Sequence, residues 1–243
     1  MDKKLLLEVK NLISYYEGER KLFGKSEKKQ VLNGVSLEIY ENEIVGLVGE
    51  SGCGKSTLAK TVLGLVGDYE GEIIHYSHFP QMVFQDPFSS LNPQKNILWI
   101  LEEPLRAQKV PKKERREKAL RILERIGLGE EYAGRLPDEL SGGQRQRVAI
   151  AAAIITHPKL LIADEPVSAL DVTVQAQILS LMKELKEEYG LSYIFISHDL
   201  DVVYQICDRV MVMRGGEIVE QNETAELFEN PKHEYTRLLL GVE

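Results

Sequence analysis

Apolar positions along this 243-residue chain recur with two different periods, and the changes of period divide it into stretches of distinct character. Residues 5–9 and 35–39 carry β-branched and apolar side chains and are expected to be strands. Residues 43–48 form a third, which runs directly into a glycine-rich turn. Beyond it, Leu58, Val62, Leu63 and Leu65 fall at helical spacing and predict a helix over 55–65. Residues 97–132 are helical in pattern and highly charged, with a solvated basic run at 112–116. Pro104, Pro111 and Pro137 are expected to punctuate this stretch into short helices. It reads as an all-helical insertion into an α/β chain. After Ser141 the pattern alternates again: a helix over 142–156, an apolar strand over 160–163, a helix over 174–189 and a buried strand over 193–196. Buried strands alternating with helices imply parallel pairing. Residues 209–213 and 217–221 flank Gly215 and Gly216 and read as an antiparallel hairpin.

Composition narrows the classes. Apolar residues at 43% and charged residues at 28% are the balance of a globular protein of one or two domains. No internal repeat or low-complexity linker interrupts it. A net charge of −8 argues against a general nucleic-acid binder, because phosphate backbones demand a basic surface. No stretch approaches the roughly 20 apolar residues that cross a bilayer. The longest apolar tract, 148–156, is alanine-rich and reads as a buried helix. Residues 1–10 mix charged and apolar side chains without a cleavage site, so no secretory signal is expected. Cys53 and Cys207 lie far apart, which disfavours a disulfide framework or a zinc site and suits a reducing cytoplasm. Work at a membrane would require docking onto another chain.

The sharpest chemical signal is the run from Gly49 to Thr57, GESGCGKST, which matches G-x-x-x-x-G-K-[ST] between a predicted strand and a predicted helix. Glycines let successive backbone N–H groups turn inward around a phosphate, and the helix N-terminus adds unpaired donors and the positive end of its dipole. Gly49, Ser51, Gly52, Cys53, Gly54, Lys55, Ser56 and Thr57 are therefore expected to hold a nucleotide. Lys55 would reach the β- and γ-phosphates, and the Ser56 hydroxyl would bind Mg²⁺. A chance glycine-rich turn would lack the strand and helix flanks. A second component follows at Asp164 and Glu165, adjacent carboxylates at the end of an apolar strand. Ligands bind at that edge of parallel sheets. Asp164 is expected to hold Mg²⁺ through water and Glu165 to polarise the attacking water. Solvated acids at a strand-to-turn junction are the plainer reading, which the preceding phosphate loop disfavours.

Leu140, Ser141, Gly142, Gly143 and Gln144, followed by Arg145, Gln146 and Arg147, resemble the signature of ABC ATPases. The other motifs stand in that family's order. Gln85 resembles the Q-loop glutamine, Ser168 to Asp171 the D-loop, and His198 the switch histidine. Tyr16, with Tyr15 as a less favoured substitute, falls where the family places an aromatic under adenine. Singly, such residues are more often a solvated glutamine, a turn histidine or a packing tyrosine; their joint order carries the argument. His75, His78, His157 and His233 receive no role.

The resemblance covers essentially the whole chain and implies one ABC ATPase domain over 1–243. Residues 1–96 and 142–243 would form an α/β P-loop core with a mixed sheet and an antiparallel β subdomain, and about 97–141 an inserted all-helical subdomain. It implies a head-to-tail dimer in which Ser141, Gly142, Gly143 and Gln144 of one subunit cap the γ-phosphate of ATP held by the other, with Asp171 communicating between sites. Glu165 would activate water, His198 contact the γ-phosphate, and Lys55 with Mg²⁺, held by Ser56, Gln85 and Asp164, carry developing charge.

Three further runs, 83–93, 171–179 and 230–236, resemble ATP-binding subunits of oligopeptide, dipeptide and nickel importers. Such subunits pair with a second, usually non-identical ATPase under two transmembrane permease subunits fed by a solute-binding protein. The expected place is the cytoplasmic face of the membrane, and the cargo a peptide, with nickel or a metal complex as alternative. A nucleic-acid ABC ATPase is the rival of another class; it would bring coiled-coil insertions, zinc modules or paired domains. A partner with a dead site would lack Glu165 or His198, and both are present. The chain departs from its relatives in a short stretch at 66–82, which leaves the strand count of the β subdomain open, in ending soon after Thr236, and in Ala152, where many have arginine.

Overall fold

The computed structural model describes residues 4–17, 28–78, 80–86 and 90–242, with the side chains of Tyr16 and Glu17 outside that description. It divides into two compact units, Met1–Pro80 with Ser192–Glu243, and Gln81–Leu191.

The first unit opens with β1 (Leu5–Glu17), β2 (Lys28–Tyr40), β3 (Ile44–Val48), α1 (Lys55–Val62) and β4 (Tyr69–His75). β1 pairs antiparallel with both β2 and β4, placing Leu7 opposite Ile39 and His75. The strands expected over 5–9 and 35–39 are the beginning of β1 and the end of β2, each a 13-residue strand. Their alternation breaks at a register shift between Val9 and Leu12, where Asn11 adopts φ 47°, and this bulge hides the continuation. The short 66–82 stretch still supplies β4, so the antiparallel sheet has three strands among the described residues. Helix α1 ends before Leu63 and Leu65, since Gly64 turns the chain at φ 72°.

The second unit comprises β5 (Gln81–Val83), α2 (Ile97–Ala107), α3 (Lys112–Arg125), α4 (Gly142–Ile154), β6 (Leu160–Asp164) and α5 (Val172–Tyr189). Two 3₁₀ turns, Glu130–Tyr132 and Pro137–Glu139, lie between α3 and α4. Pro111 and Pro137 stand at element starts as expected, but Pro104 lies inside α2. The apolar face of that helix, with Leu101 and Leu105 buried, keeps it continuous past the proline. Asn96 caps α2 by accepting from Trp99 N–H at 2.9 Å. Arg125 ties α3 to α5 through Glu184 and Glu188. β5 runs parallel to β6, with Val83 opposite Ala163.

The chain then returns to the first unit as β7 (Ser192–Ile196), α6 (Leu200–Ile206), β8 (Arg209–Arg214), β9 (Glu217–Glu223), α7 (Thr224–Glu229) and α8 (Glu234–Leu240). β3 lies between β7 and β8 and is parallel to both, while β9 is antiparallel to β8 about Gly215 and Gly216. Every residue of β3 and β7 is buried, which explains their unbroken apolar runs. Helices α6, α7 and α8 have seven, six and seven residues, too few turns to register as a periodic pattern.

The entrance to β3 is held by a buried ion pair. Glu43, 3% exposed, accepts from Tyr40 N–H at 2.7 Å and from Arg209 Nη2 at 3.0 Å. The same guanidinium nitrogen donates to the Glu38 carbonyl at 2.7 Å, and Asp208 accepts from Ile44 N–H at 2.8 Å. Two strands far apart in sequence are thereby set in register. Arg209→Met would strand the Glu43 carboxylate, and the expected loss is about 3 kcal/mol of unfolding free energy by urea denaturation. A loss below about 1 kcal/mol would place the pair with weak surface bridges.

Candidate functional site

In the first unit, β3 delivers the chain to Gly49 at φ 151°. A Cβ there would stand 2.1 Å from the Met213 carbonyl, so only glycine lets the loop leave the strand this way. Gly54, at φ 112°, is the N-cap of α1, and its own Cβ would meet Met213 and Leu32. The loop thus places Lys55, Ser56 and Thr57 in the first turn of α1, where free N–H groups converge. Lys55 is buried, and its ammonium donates to the Gly49 carbonyl at 2.7 Å and the Glu50 carbonyl at 2.9 Å, with Cys53 Sγ 3.8 Å away. Ser51 and Gly52 are exposed, and Ser56 and Thr57 partly so. A cavity of about 380 Å³ beside the loop is lined by Lys29, Gln30, Val31, Gly52, Cys53, Gly215 and Gly216.

β7 lies parallel beside β3, with Leu47 opposite Ile196, so both strands end at the same edge. His198 stands exposed two residues past that edge. It is flanked by structured neighbours: Ser197 Oγ accepts from Asp199 N–H at 3.0 Å, and Asp199 caps α6 by accepting from Asp201 and Val202 N–H. Tyr16 has its backbone in β1 opposite Lys29, but its side chain lies outside the described residues. The alternative, Tyr15, donates its hydroxyl to Glu70 at 3.1 Å.

In the second unit, β6 ends in buried Asp164, and Glu165 follows with φ 47°, a left-handed conformation that a side chain adopts at a cost. The Gln85 amide donates to Glu165 Oε2 at 2.8 Å, uniting two expected site residues. The D-loop turn closes on the same residue, as Ser168 N–H and Oγ both approach the Glu165 carbonyl, at 3.3 and 3.2 Å. Pro87, Phe88 and Ser89, in the run 83–93 that resembles importer subunits, lie outside the described residues. Asp171 caps α5 by accepting from Val174 N–H at 3.0 Å, which starts that helix two residues earlier than the apolar pattern suggests.

The signature residues form a capping box at the start of α4. Ser141 Oγ accepts from Gln144 N–H at 3.3 Å, and Gln144 Oε1 accepts from Ser141 N–H at 2.9 Å. Gln144 also donates to the Tyr132 hydroxyl at 3.1 Å. A Cβ on Gly143 would lie 2.4 Å from Val174, so α4 and α5 approach closely there. Ser141 is exposed while Gly142 and Gly143 are partly exposed, leaving this helix start open to an anion.

Sequence reasoning overlooked the supports. The hairpin tip donates Gly216 N–H to the Cys53 carbonyl at 3.0 Å, and Tyr132 steadies Gln144. A Gly-Gly turn and a tyrosine carry no local sign of what they will face.

Comparison with known proteins shows the family. The ABC transporter family model matches residues 32–168. The chain is 46% identical to the dipeptide transport ATP-binding protein DppF of Haemophilus influenzae, over 98% of this chain and 77% of that one. It is 45% identical to the oligopeptide transport ATP-binding protein AppF of Bacillus subtilis, over 99% and 78%. Among solved structures, a dimeric ATP-binding cassette in a post-hydrolysis state with ADP and Pi superposes with a TM-score of 0.76 at 31% identity, covering 90% of this chain and 99% of that one. The cbiO1 subunit of Clostridium perfringens, part of an ABC transporter complex, gives a TM-score of 0.79 at 29% identity, covering 94% and 92%.

Ser141→Ala removes the oxygen that caps α4 and is expected to lower stability by about 1 kcal/mol in chemical denaturation. An unchanged midpoint would mean that the signature serine has no part in holding its own helix.

Proposed function

The chain belongs to the ABC transporter family of ATP-hydrolysing subunits, and from that premise we propose that it powers the import of peptides. The cargo reading is supported by near-full-length identity to dipeptide and oligopeptide transport subunits.

The observation that carries the catalytic reading is the Gln85–Glu165 hydrogen bond on a strained backbone directly after Asp164. Glu165 acts as the base that orients and deprotonates the attacking water, and Gln85 sets its carboxylate. Lys55 and the first N–H groups of α1 bind the β- and γ-phosphates, with Gly49, Ser51, Gly52, Cys53, Gly54 and Thr57 shaping the cradle. His198 contacts the γ-phosphate, and Tyr16 stacks on adenine. Ser56, Gln85 and Asp164 provide a hydroxyl, an amide oxygen and a carboxylate, a sparse oxygen set that suits Mg²⁺ shared with phosphates and water. When bound, that ion neutralises charge developing on the phosphate oxygens.

Ser141, Gly142, Gly143 and Gln144 act in trans, capping the γ-phosphate on a second, homologous and non-identical ATPase in a head-to-tail dimer, with Asp171 linking the two sites. On this reading residues 97–141 are the helical subdomain of a single ATPase domain. Among the described residues no helix is long and apolar enough to cross a membrane. The subunit would dock beneath two permease subunits on the cytoplasmic face, served indirectly by a solute-binding protein.

Glu165→Gln is expected to lower ATP turnover by two to three orders of magnitude, about 3–4 kcal/mol of transition-state stabilisation, while ATP binding persists. Size-exclusion chromatography of the variant with ATP and the partner ATPase should reveal the dimer. Turnover within a factor of about three of the native chain would remove Glu165 from the base role.

A further inference from the structure

The run 230–236 marks the chain as similar to peptide-importer subunits, yet none of its residues belongs to the catalytic set. Its contacts lead to the phosphate loop. Tyr235, in the first turn of α8 and only 5% exposed, accepts a hydrogen bond through its hydroxyl from Glu50 N–H at 2.9 Å. The carbonyl of the same peptide unit, that of Gly49, accepts from Lys55 Nζ at 2.7 Å. One amide therefore carries the tyrosine hydroxyl on one side and the lysine ammonium on the other. An amide is planar and stiff, so its two ends cannot turn independently. Fixing the Glu50 N–H fixes the direction of the carbonyl on which Lys55 rests.

Tyr235 is itself anchored. The Arg214 guanidinium lies over its ring, 4.8 Å from the centroid. Its own N–H donates to His233 Nδ1 at 3.1 Å. The approach to α8 is pinned by Glu220, whose carboxylate accepts from Lys232 N–H at 2.8 Å and His233 N–H at 2.9 Å. Burial raises the Glu220 pKa, but hydrogen bonds including these two outweigh it, so the carboxyl titrates below its ordinary range. The anchoring charge is in place at neutral pH.

We propose that Tyr235 is a positioning residue for nucleotide binding: through the Gly49–Glu50 peptide it holds the Lys55 ammonium in register for the phosphates. This rests on the reading of Lys55 as the phosphate ligand. A loop that is set before ATP arrives loses less freedom on binding, so the contribution falls on affinity rather than on the chemical step.

The test is Tyr235→Phe in the full chain, which deletes the hydroxyl and keeps the ring beneath Arg214. ATP Kd and KM should rise about three- to ten-fold, with kcat within about two-fold of native and an unchanged nucleotide-free Tm. Glu220→Ala, which leaves Tyr235 intact but loosens its support, should raise KM in the same direction. In a Lys55→Met background, adding Tyr235→Phe should weaken the binding of a fluorescent ATP analogue no further. Native KM in Tyr235→Phe, with or without a lowered Tm, would reduce the residue to packing and overturn the proposal. So would a full additional loss in the Lys55→Met background. Failure of the native chain to bind ATP would instead overturn the reading of the phosphate site.

Discussion

A parallel strand buried on both faces can present chemistry only at its ends, because packing claims every side chain along its length. All five residues of β3 and of β7 are buried, and so are all five of β6. In one unit, β3 passes into the phosphate loop and β7 into Ser197 and His198; in the other, β6 ends in Asp164 and Glu165. Asp164 is the last residue of β6, and Glu165 and His198 lie within two residues of their strand ends. Parallel pairing brings such ends to a common edge, as with Leu47 and Ile196 in one unit and Val83 and Ala163 in the other.

Helix starts supply the complementary half of the chemistry. An α-helix leaves its first N–H groups unpaired, and whatever residue precedes them must satisfy them or leave them to a ligand. At α1 the N-cap is Gly54, which has no side chain to offer, and the donors remain open. At α4 the Ser141–Gln144 capping box satisfies part of the set, and at α5 and α6 an aspartate does so. The motif residues of the second unit therefore hold up their own helices as well as facing outward. Substituting them changes both properties together, so stability and activity have to be measured side by side.

A glycine-rich loop cannot brace itself, because the residues that let backbone approach phosphate have no side chains to pack. The support comes from elsewhere in the chain: Gly216 N–H on the Cys53 carbonyl, Asn33 on the Gly215 carbonyl at 2.6 Å, and Tyr235 on Glu50. These contacts make the β8–β9 hairpin and α8 part of the framework around the glycine-rich loop. A comparable division of labour holds at Glu165, whose left-handed backbone is tied down by Ser168 while Gln85 directs its carboxylate.

Local physics made much of this legible in the sequence. Nine consecutive residues from Gly49 to Thr57 carry the pattern of a phosphate cradle, since backbone freedom, a helix start and one ammonium are all encoded within reach of one another. The apolar runs of β3, β6 and β7 were likewise readable, because burial on both faces leaves few polar positions, and so was the hairpin about Gly215 and Gly216. The full lengths of β1 and β2 were not, because the bulge at Asn11 breaks the alternation; nor was β4, whose residues are largely exposed, nor the continuity of α2 through Pro104. Those outcomes depend on what lies opposite. Tyr235 makes the point most sharply: it stands 185 positions from Glu50, and nothing in its neighbourhood along the chain indicates a partner. The sequence alone determined which groups could bind a phosphate; the tertiary structure decided which distant side chains hold them still, because a hydrogen bond is formed by proximity in space and leaves no period in the chain.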